Sequence, residues 1–410
     1  KETVINPELG GSTEIEEIRV IANLVDRKTP IAITKITAEQ IAEELGSRDL
    51  PMLLNATPGV YATQTGGGDG DARITIRGFD QRNVGVLIDG VPVNDMENGA
   101  VYWSNWFGLD AITSQVQVQR GLGATKLSMP SVGGSMNIIT QGMQNRKGIT
   151  FKQEYGTGNF FRTSLSYNSG RTKKGWGFNF SGSYKQGDGW VEGTNTQGAF
   201  YYGKIQKVIK KHLISLSAFG APQRHGQRSF FQPIQYWDSQ TATDLGVPLD
   251  QNAIIDRGVR FNQHWGYITN EDGKKELKNE RLNYYHKPQV TLKDFWQVNK
   301  KLSVSNIAYM SIGRGGGTRL ANSGGILYTP EGHVDWDAIV KANQVDQLFG
   351  GPNIDPAYST TEIKSSQVQI SSVNNHFWLG YLGQVHYELN PHWTVSGGID
   401  YRYYKGSHYQ

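Results

Sequence analysis

ARITIRGFDQRNVGVLIDGVPVND, residues 72–95, contains two short alternating apolar runs separated by Gly78 and a polar turn. Apolar residues at every second position predict two strands, and Asp89-Gly90 at the end of the second run predicts a tight turn. Such a pattern is typical of hairpins in ordinary soluble domains. The rest of the chain is unusual, because residues 145–410 continue in Tyr-rich and Gly-rich alternation with no obvious core of their own.

The composition excludes several classes of protein. The chain of 410 residues has 50 Gly, 20 Tyr and no Cys, and hydrophobic residues make up 37%. A helical membrane protein is excluded because no run of 18 apolar residues occurs. A membrane β-barrel is not excluded, since its strands show alternate residues to lipid and to a polar lumen. The net charge of +4 gives no indication of nucleic-acid binding, and the lack of Cys excludes disulfides and thiolate metal sites.

The chain changes character near residue 145. Residues 25–143 predict a small α/β domain, and residues 1–24 form an N-terminal extension. Thr37 and Gln40 have the spacing of a capping box and predict the start of a helix. A second short helix is expected after Ser47 as its cap, ending at Thr57-Pro58-Gly59.

Residues 144–410 have period-two alternation and predict about nine strands. Four of the connections between these strands are short, and two of the others are about 60 residues long. Alternation of short and long connections is the pattern of an outer-membrane barrel. A soluble β-sandwich with aromatic-rich strands is the alternative, but loops of that length are unusual in a compact soluble domain. The predicted strands are 149–155, 161–168, 176–185, 199–207, 212–220, 283–298, 302–311, 373–389 and 392–404.

Motifs in the first domain resemble those of the plug domain of TonB-dependent outer-membrane transporters. Four of them occur in the family's order: LLNATPGV (53–60), RITIRGF (73–79), VLIDGVPVND (86–95) and VQVQRGLGATKLSMPSVGGSMNIIT (116–140). NGAVYWSNWFGLD (98–110) looks like a variant typical of Bacteroidota members. The resemblance implies a membrane β-barrel of the 22-stranded type whose lumen is filled by an N-terminal α/β plug. With about nine strands present, we expect these residues to be the N-terminal part of a longer protein.

The same resemblance implies a function. A member of this family binds a scarce solute at the outer face and imports it to the periplasm, using an inner-membrane motor. The resemblance also implies three partners, namely a TonB-type protein, outer-membrane lipid and lipopolysaccharide. Surface lipoproteins or other members of a complex are further possible partners. Families of this kind handle ferric chelates, cobalamin, glycans or peptides. A charged and aromatic vestibule suits a metal chelate better than a long glycan, so a ferric chelate is favoured. The rival functions are an accessory or signalling subunit that does not transport, and a soluble secreted β-rich protein. Neither an enzyme activity nor a cofactor is expected.

The candidate TonB box lies in the stretch Glu14–Ala22. Such a box binds by adding a strand to the edge of a partner's sheet, and alternating apolar residues suit that role. An ordinary edge strand of the plug would have the same pattern. The predicted TonB-binding residues are Glu16, Glu17, Ile18, Arg19 and Val20.

Two further groups of residues are candidates by their place in the plug. An aromatic and polar loop is expected to form a ligand floor or to wedge the plug against the barrel; it comprises Asp95, Glu97, Asn98, Tyr102, Trp103, Trp106 and Phe107. Buried arginines need anionic partners, so four plug arginines are expected to contact barrel carboxylates rather than substrate; they are Arg73, Arg77, Arg82 and Arg120.

Metal and catalytic motifs are weak. Asp69 and Asp71 lie in a Gly-rich loop that has too few oxygen ligands for a calcium site. His225, His264 and His333 fall in predicted outer loops without the spacing of a zinc motif. No metal site and no catalytic residue is therefore predicted.

Overall fold

A computed structural model describes residues 32–64, 70, 72–121, 131–144, 147–228, 232–250, 255–345, 351–390 and 392–410. These residues form a small α/β domain, which we call the plug, and a large curved antiparallel sheet, which we call the wall. None of the helices in these ranges is long and apolar enough to cross a membrane.

The plug contains two small sheets and one α-helix. Its five-stranded sheet has the order β1-β7-β8-β5-β6, in which β5 and β8 are parallel and the other pairs are antiparallel. A three-stranded sheet has the order β2-β3-β4. The strands are β1 Ile33–Thr37, β2 Val60–Gln64, β3 Ala72–Ile76, β4 Phe79–Asp80, β5 Val84–Ile88, β6 Val91–Pro92, β7 Thr113–Arg120 and β8 Gly134–Thr140, and the helix is α1 Ala38–Glu44.

The stretch 72–95 does not form the single hairpin that its pattern predicts. β3 pairs with β2 and β4, whereas β5 joins the other sheet beside β8. The reason is the connection, because Arg77 and Gly78 both have positive φ and turn the chain back into β4. Asp80 then caps a 3-10 helix, Gln81–Asn83, which leads into the second sheet. The turn at Asp89-Gly90 does form a small hairpin, in which β5 pairs with β6.

The first predicted helix is confirmed and the second is corrected. Thr37 and Gln40 form both hydrogen bonds of the capping box at the start of α1. The second segment, Leu50–Ala56, is a 3-10 helix whose N-cap is Asp49 rather than Ser47. Asp49 does not cap it with its side chain, because its carboxylate accepts hydrogen bonds from the backbone N–H groups of Gly70 and Ala72.

Four shorter pieces of helix complete the plug and the long connections. Trp103–Trp106 and Leu109–Ala111 are 3-10 turns in the plug, and Ile234–Tyr236 and Ser323–Gly325 are 3-10 turns in the long connections. The long connections also contain α2 Ser239–Asp244, α3 Trp336–Gln344 and a hairpin of β15 Trp265–Thr269 with β16 Lys275–Asn279.

The wall is an eleven-stranded antiparallel sheet. The chain crosses this sheet nine times, and two of these crossings are each divided into two strands by a proline. Pro222 separates β13 from β14, and Pro288 separates β17 from β18, because proline has no N–H to donate to the neighbouring strand. The nine predicted strands each lie in one of its crossings. Its strands are β9 Gly148–Gly156, β10 Phe160–Asn168, β11 Trp176–Gly187, β12 Thr196–Ile209, β13 His212–Gly220, β14 Gln223–Gly226, β17 Leu282–His286, β18 Gln289–Gln297, β19 Leu302–Leu320, β20 Gln369–Asn390 and β21 Trp393–Tyr409.

The two faces of the wall differ in polarity, as the alternation predicts. In β11, Ser181, Ser183 and Lys185 are buried toward the plug, whereas Phe180 and Tyr184 are exposed on the outer face. β12 has apolar residues on both faces, because Phe200 and Tyr202 point inward and join the core of the plug. The weak sequence alternation of this strand therefore has a structural cause, namely that its inner face packs on the plug.

The connections distinguish the two ends of the wall. One end, which we call the short-turn end, has brief connections between β10 and β11, β12 and β13, β18 and β19, and β20 and β21. The other, the long-loop end, has the connections 227–281 and 321–368. Described residues of these connections pack around a small core of Leu320, Val334, Trp336 and Ile339. Among the described strands the sheet is open, because β9 pairs only with β10 and β21 only with β20.

A substitution of Gly108 tests how closely the plug packs on the wall. Its φ is +86°, and a Cβ at this position would collide with the ring of Phe200. We expect Gly108→Ala to lower the free energy of unfolding by about 3 kcal/mol, from backbone strain and overpacking together. Gly246 is a matched control, since its φ is +71° but no atom lies within 4 Å of an added Cβ. Gly246→Ala should cost only the strain, about 1 kcal/mol. Equal losses in thermal unfolding in detergent micelles would contradict the close contact.

Candidate functional site

A cavity of about 530 Å³ lies between the plug and the wall toward the long-loop end. Plug residues line one side of it and residues of β17, β19, β20 and β21 line the other. The lining side chains carry amides, hydroxyls, imidazoles and charged groups, so the cavity can hydrogen-bond a polar solute. The plug contributes Gly70, Arg73, Arg82, Asp95, Glu97, Asn98, Tyr102, Ser104 and Asn105, and the rest of the lining includes Gln227, Asn283, Tyr285, Lys287, Ser372, Asn374, His376 and His408.

The plug side of the cavity is a tight loop after β6. Asp95 holds this loop, because its Oδ1 accepts hydrogen bonds from the backbone N–H groups of Glu97 (3.0 Å) and Asn98 (3.1 Å). The Asn98 side chain in turn donates to the hydroxyl of Tyr102 at 3.0 Å. These bonds fix four of the predicted substrate-binding residues at the surface of the cavity.

The wall side carries two histidines that face the plug acids. His408 Nε2 lies 2.8 Å from Glu97 Oε1, and His376 Nε2 lies 4.0 Å from Asp95 Oδ2. The hydrogen bond with His408 is the main cause that lowers the pKa of Glu97 below its usual value. The acids of the plug are thus held by groups of the protein itself.

The other predicted substrate-binding residues lie away from the cavity surface. Trp103, Trp106 and Phe107 are buried. The Trp106 ring packs on Phe219 at a centroid distance of 5.8 Å, and the Phe107 ring packs on Phe200 at 6.4 Å. These contacts match the alternative given by the sequence, in which the aromatic residues wedge the plug against the barrel. Their role in substrate binding stays a prediction.

The four plug arginines divide between the cavity and the plug itself. Arg73 and Arg82 line the cavity. Arg120 donates to the carbonyl oxygen of Pro58 at 2.7 Å, and Arg77 lies beside Gly121. Their contact with barrel carboxylates stays a prediction.

The ion pairs that the structure shows between plug and wall have the opposite polarity, with acids on the plug and bases on the wall. Asp110 of the plug binds Arg162 of β10 through two hydrogen bonds of 2.9 and 3.0 Å. Asp89, at the turn between β5 and β6, lies beside two lysines of the wall. The ammonium of Lys293 lies 3.6 Å from the carboxylate of Asp89 and that of Lys204 lies 3.9 Å away.

Asp89 is buried and links the turn between β5 and β6 to three other strands, β8, β12 and β18. Its carboxylate accepts hydrogen bonds from the backbone N–H and the hydroxyl of Thr140, at 2.8 and 2.7 Å, and its carbonyl oxygen accepts one from Lys293 at 2.6 Å. Burial by itself raises the pKa of Asp89, but the charges of Lys293 and Lys204 and the bonds from Thr140 outweigh it and lower the pKa to about 2. The turn that begins at Asp89 is therefore fixed to β8, β12 and β18.

Sequence reasoning did not identify the wall residues of the cavity, among them Tyr285, Lys287, His376 and His408. Alternation shows which side chains face inward but not which of them reach the plug. The interruption at Lys287-Pro288 is a signal that could have been used, because a proline inside a predicted strand marks an irregular place in the sheet.

The candidate histidines make local contacts. His225 lies in β14 and not in a loop, so that expectation is corrected; its Nδ1 lies 2.7 Å from Gln223 Oε1. His264 contacts Glu280 at 2.7 Å and His333 contacts Glu192 at 3.0 Å. Across the residues placed by the structure, no group of three or more metal-ligating side chains converges. Asp69 and Asp71, like the candidate TonB-box residues 16–20, lie outside the described residues.

A wall with an apolar outer face and a polar inner face, packed around an α/β domain, defines the chain as part of a plugged membrane β-barrel. Residues 25–135 match the family model described as TonB-dependent Receptor Plug Domain. These residues therefore have the sequence of a plug domain of TonB-dependent receptors, and the chain is similar to receptors and transporters of the bacterial outer membrane.

Known proteins of this family are similar over different lengths. The Vitamin B12 transporter BtuB of Vibrio vulnificus is 29% identical over 68% of this chain and 44% of its own length. The Ferric enterobactin receptor of Pseudomonas aeruginosa is 30% identical over 32% of this chain and 19% of its own length. The open form of the Ferric-Catecholate import receptor Fiu from E. coli K12 covers 93% of this chain at 16% identity and a TM-score of 0.61. The chain spans 50% of that structure, about half the length of its relatives.

The carboxylate of Asp89 predicts a specific acid dependence. Because its pKa is lower in the folded protein than the usual value of about 3.9, its contribution to stability is complete above that value. The contribution is lost as the pH falls toward 2. We expect the amides of β5 and β8 to lose hydrogen-exchange protection between about pH 4 and 2 in the native protein.

Two variants separate this effect from general acid unfolding. Asp89→Asn should show weaker protection already at pH 6 and a smaller decline over the same range. Asp80→Asn, which changes an exposed acid of the plug, should behave as the native protein does. An identical pH profile for Asp89→Asn and the native protein would contradict a role for this carboxylate.

Proposed function

We propose that the whole protein is a TonB-dependent transporter, which binds a polar solute at its outer face and moves it to the periplasm. One observation carries this proposal, namely that the cavity is shared by the plug and the wall. In barrels of this kind the long loops are extracellular and the short turns periplasmic, so the cavity lies on the outer side. A solute bound there would contact two bodies that can separate.

The shared lining suggests how transport would work. Displacement of the plug would part Glu97 from His408 and remove one side of the cavity, so a bound solute would lose a large share of its contacts. The same movement must break the buried contacts of Asp89 and Asp110 with the wall. Breaking a buried ion pair costs several kcal/mol, about 3–5 each, so an external source of work is required.

The candidate TonB box would connect the plug to that source of work. Glu16, Glu17, Ile18, Arg19 and Val20 lie upstream of β1, which is the edge strand of the plug sheet. By adding a strand to a TonB-type partner, this segment would transmit a pulling force to β1.

The solute that we favour is a metal chelate, in particular a ferric siderophore. The relatives that support this choice are named as a vitamin B12 transporter and as receptors for ferric chelates. The polar and charged lining of the cavity is consistent with such a ligand.

Deletion of residues 14–22 tests the transport proposal in the full-length protein. We expect uptake of the solute into cells to fall at least about tenfold, because no force reaches the plug. Binding of the solute to the outer face should change less than about twofold in affinity, since the described lining of the cavity comes from other parts of the chain. Uptake of a radiolabelled ferric chelate and equilibrium binding to whole cells measure the two quantities.

A matched deletion provides the control. Residues 3–11 are equally long and precede the candidate box, so their removal should leave both uptake and binding unchanged. Undiminished uptake after deletion of residues 14–22 would reject this segment as the TonB box. Binding without any protein-dependent uptake in the native protein would reject transport and favour an accessory or signalling role.

A further inference from the structure

Lys287 occupies an unusual position in the cavity. It lies between β17 and β18, just before Pro288, and its side chain points inward to the plug. Only 6% of the residue is exposed, yet it lines the cavity. Its ammonium lies 4.7 Å from the ring centroid of Trp378 in the wall and 5.9 Å from that of Trp106 in the plug.

No described residue accepts a hydrogen bond from this ammonium or forms an ion pair with it. A buried lysine normally has such a partner, because removing an ammonium from water is costly. The two indole rings compensate in part, since the face of an aromatic ring attracts a desolvated ammonium. The side chain is therefore held in place, and its ammonium remains available to a group inside the cavity.

The acids of the cavity do not supply the missing partner. Glu97 is bonded to His408, and Oδ1 of Asp95 accepts two backbone hydrogen bonds. The other oxygen of Asp95 lies toward His376, and Asp95 attracts Lys287 only from beyond ion-pair distance. The negative charges of the lining are thus engaged by the protein.

Arg82 is a second cation at the cavity. The side chain of Arg82 is exposed at the cavity and makes no ion pair with a residue that the structure describes. Lys287 and Arg82 therefore both present a positive charge to the cavity without an ion-pair partner among the described residues. Cations fixed in a partly dehydrated cavity bind oxyanions through short charge-assisted hydrogen bonds.

We infer that Lys287 is the anion-binding residue of the solute site, and that the solute carries a carboxylate or a comparable oxyanion placed between the plug and β18. The inference rests on the proposed function in taking this cavity as the solute site. The shape of the subsite is set by Trp106 and Trp378, which allow the oxyanion to approach the ammonium only from the cavity.

Two ferric complexes of different charge test this inference on the full-length protein in detergent micelles. Ferric dicitrate is the anionic probe, and a ferric trihydroxamate of zero net charge is the neutral probe. Isothermal titration should show that the native protein binds the anionic probe at least about tenfold more tightly, since a charge-assisted contact is worth that much. Lys287→Gln should lose about tenfold in affinity for the anionic probe and little for the neutral one.

Two more variants distinguish binding from a structural role. Lys287→Arg keeps the charge and should retain most of the affinity. Lys185 is a matched control, because it is equally buried at 6% exposure and its ammonium lies 4.3 Å from the ring centroid of Phe107, but it lines a different pocket. Lys185→Gln should leave the preference for the anionic probe unchanged.

Several results would overturn the inference. These are binding of neither probe by the native protein, equal affinity for both probes, or equal losses of both in Lys287→Gln. The transport proposal is judged separately by the deletion of residues 14–22. A charge preference that depends on Lys287, together with no protein-dependent uptake by the native protein, would support the anion site and reject transport.

Discussion

The buried contact of Asp89 with Lys204 and Lys293 shows the constraint on which the structure depends. The inner face of the wall is polar, so hydrophobic burial cannot alone hold a domain inside it. A buried charge of the wall is costly when it is unpaired, so acids of the plug that pair with such charges stabilise the assembly. Asp89 pairs in this way at one point and Asp110 at another, with Arg162 as its partner. These pairs determine the position and orientation of the plug.

The aromatic residues Trp106 and Phe107 add apolar contacts between the plug and the wall to these ion pairs. Trp106 and Phe107 pack on Phe219 and Phe200, so the core of the plug continues into the wall at these rings. Because the loop with Asp95 and Glu97 lies directly before these aromatic residues in sequence, fixing them also fixes one side of the cavity. The site is therefore a consequence of how the plug is attached, and moving the plug necessarily changes the site.

Sequence patterns predicted the fold well, because the relevant signals are local. Period-two alternation, the order of short and long connections and the capping box at Thr37 each depend on neighbouring residues. The site depends on contacts between distant segments, such as Glu97 with His408, and no local pattern contains them. The hairpin predicted for residues 72–95 was wrong for two reasons. The turn at Arg77-Gly78 leads into β4, and β5 pairs with β8, which is 50 residues farther along the chain.

The distribution of charge links the attachment of the plug to the choice of solute. Acids of the plug are used for attachment or are bonded to histidines of the wall, whereas Lys287 and Arg82 stay open to the cavity. Lys287 also touches one aromatic ring from each body, Trp106 of the plug and Trp378 of the wall. The affinity for an oxyanion bound to this ammonium would therefore depend on the distance between the plug and the wall. A shift of the plug that withdrew Trp106 would rehydrate the ammonium and weaken the bond to the solute when release is needed.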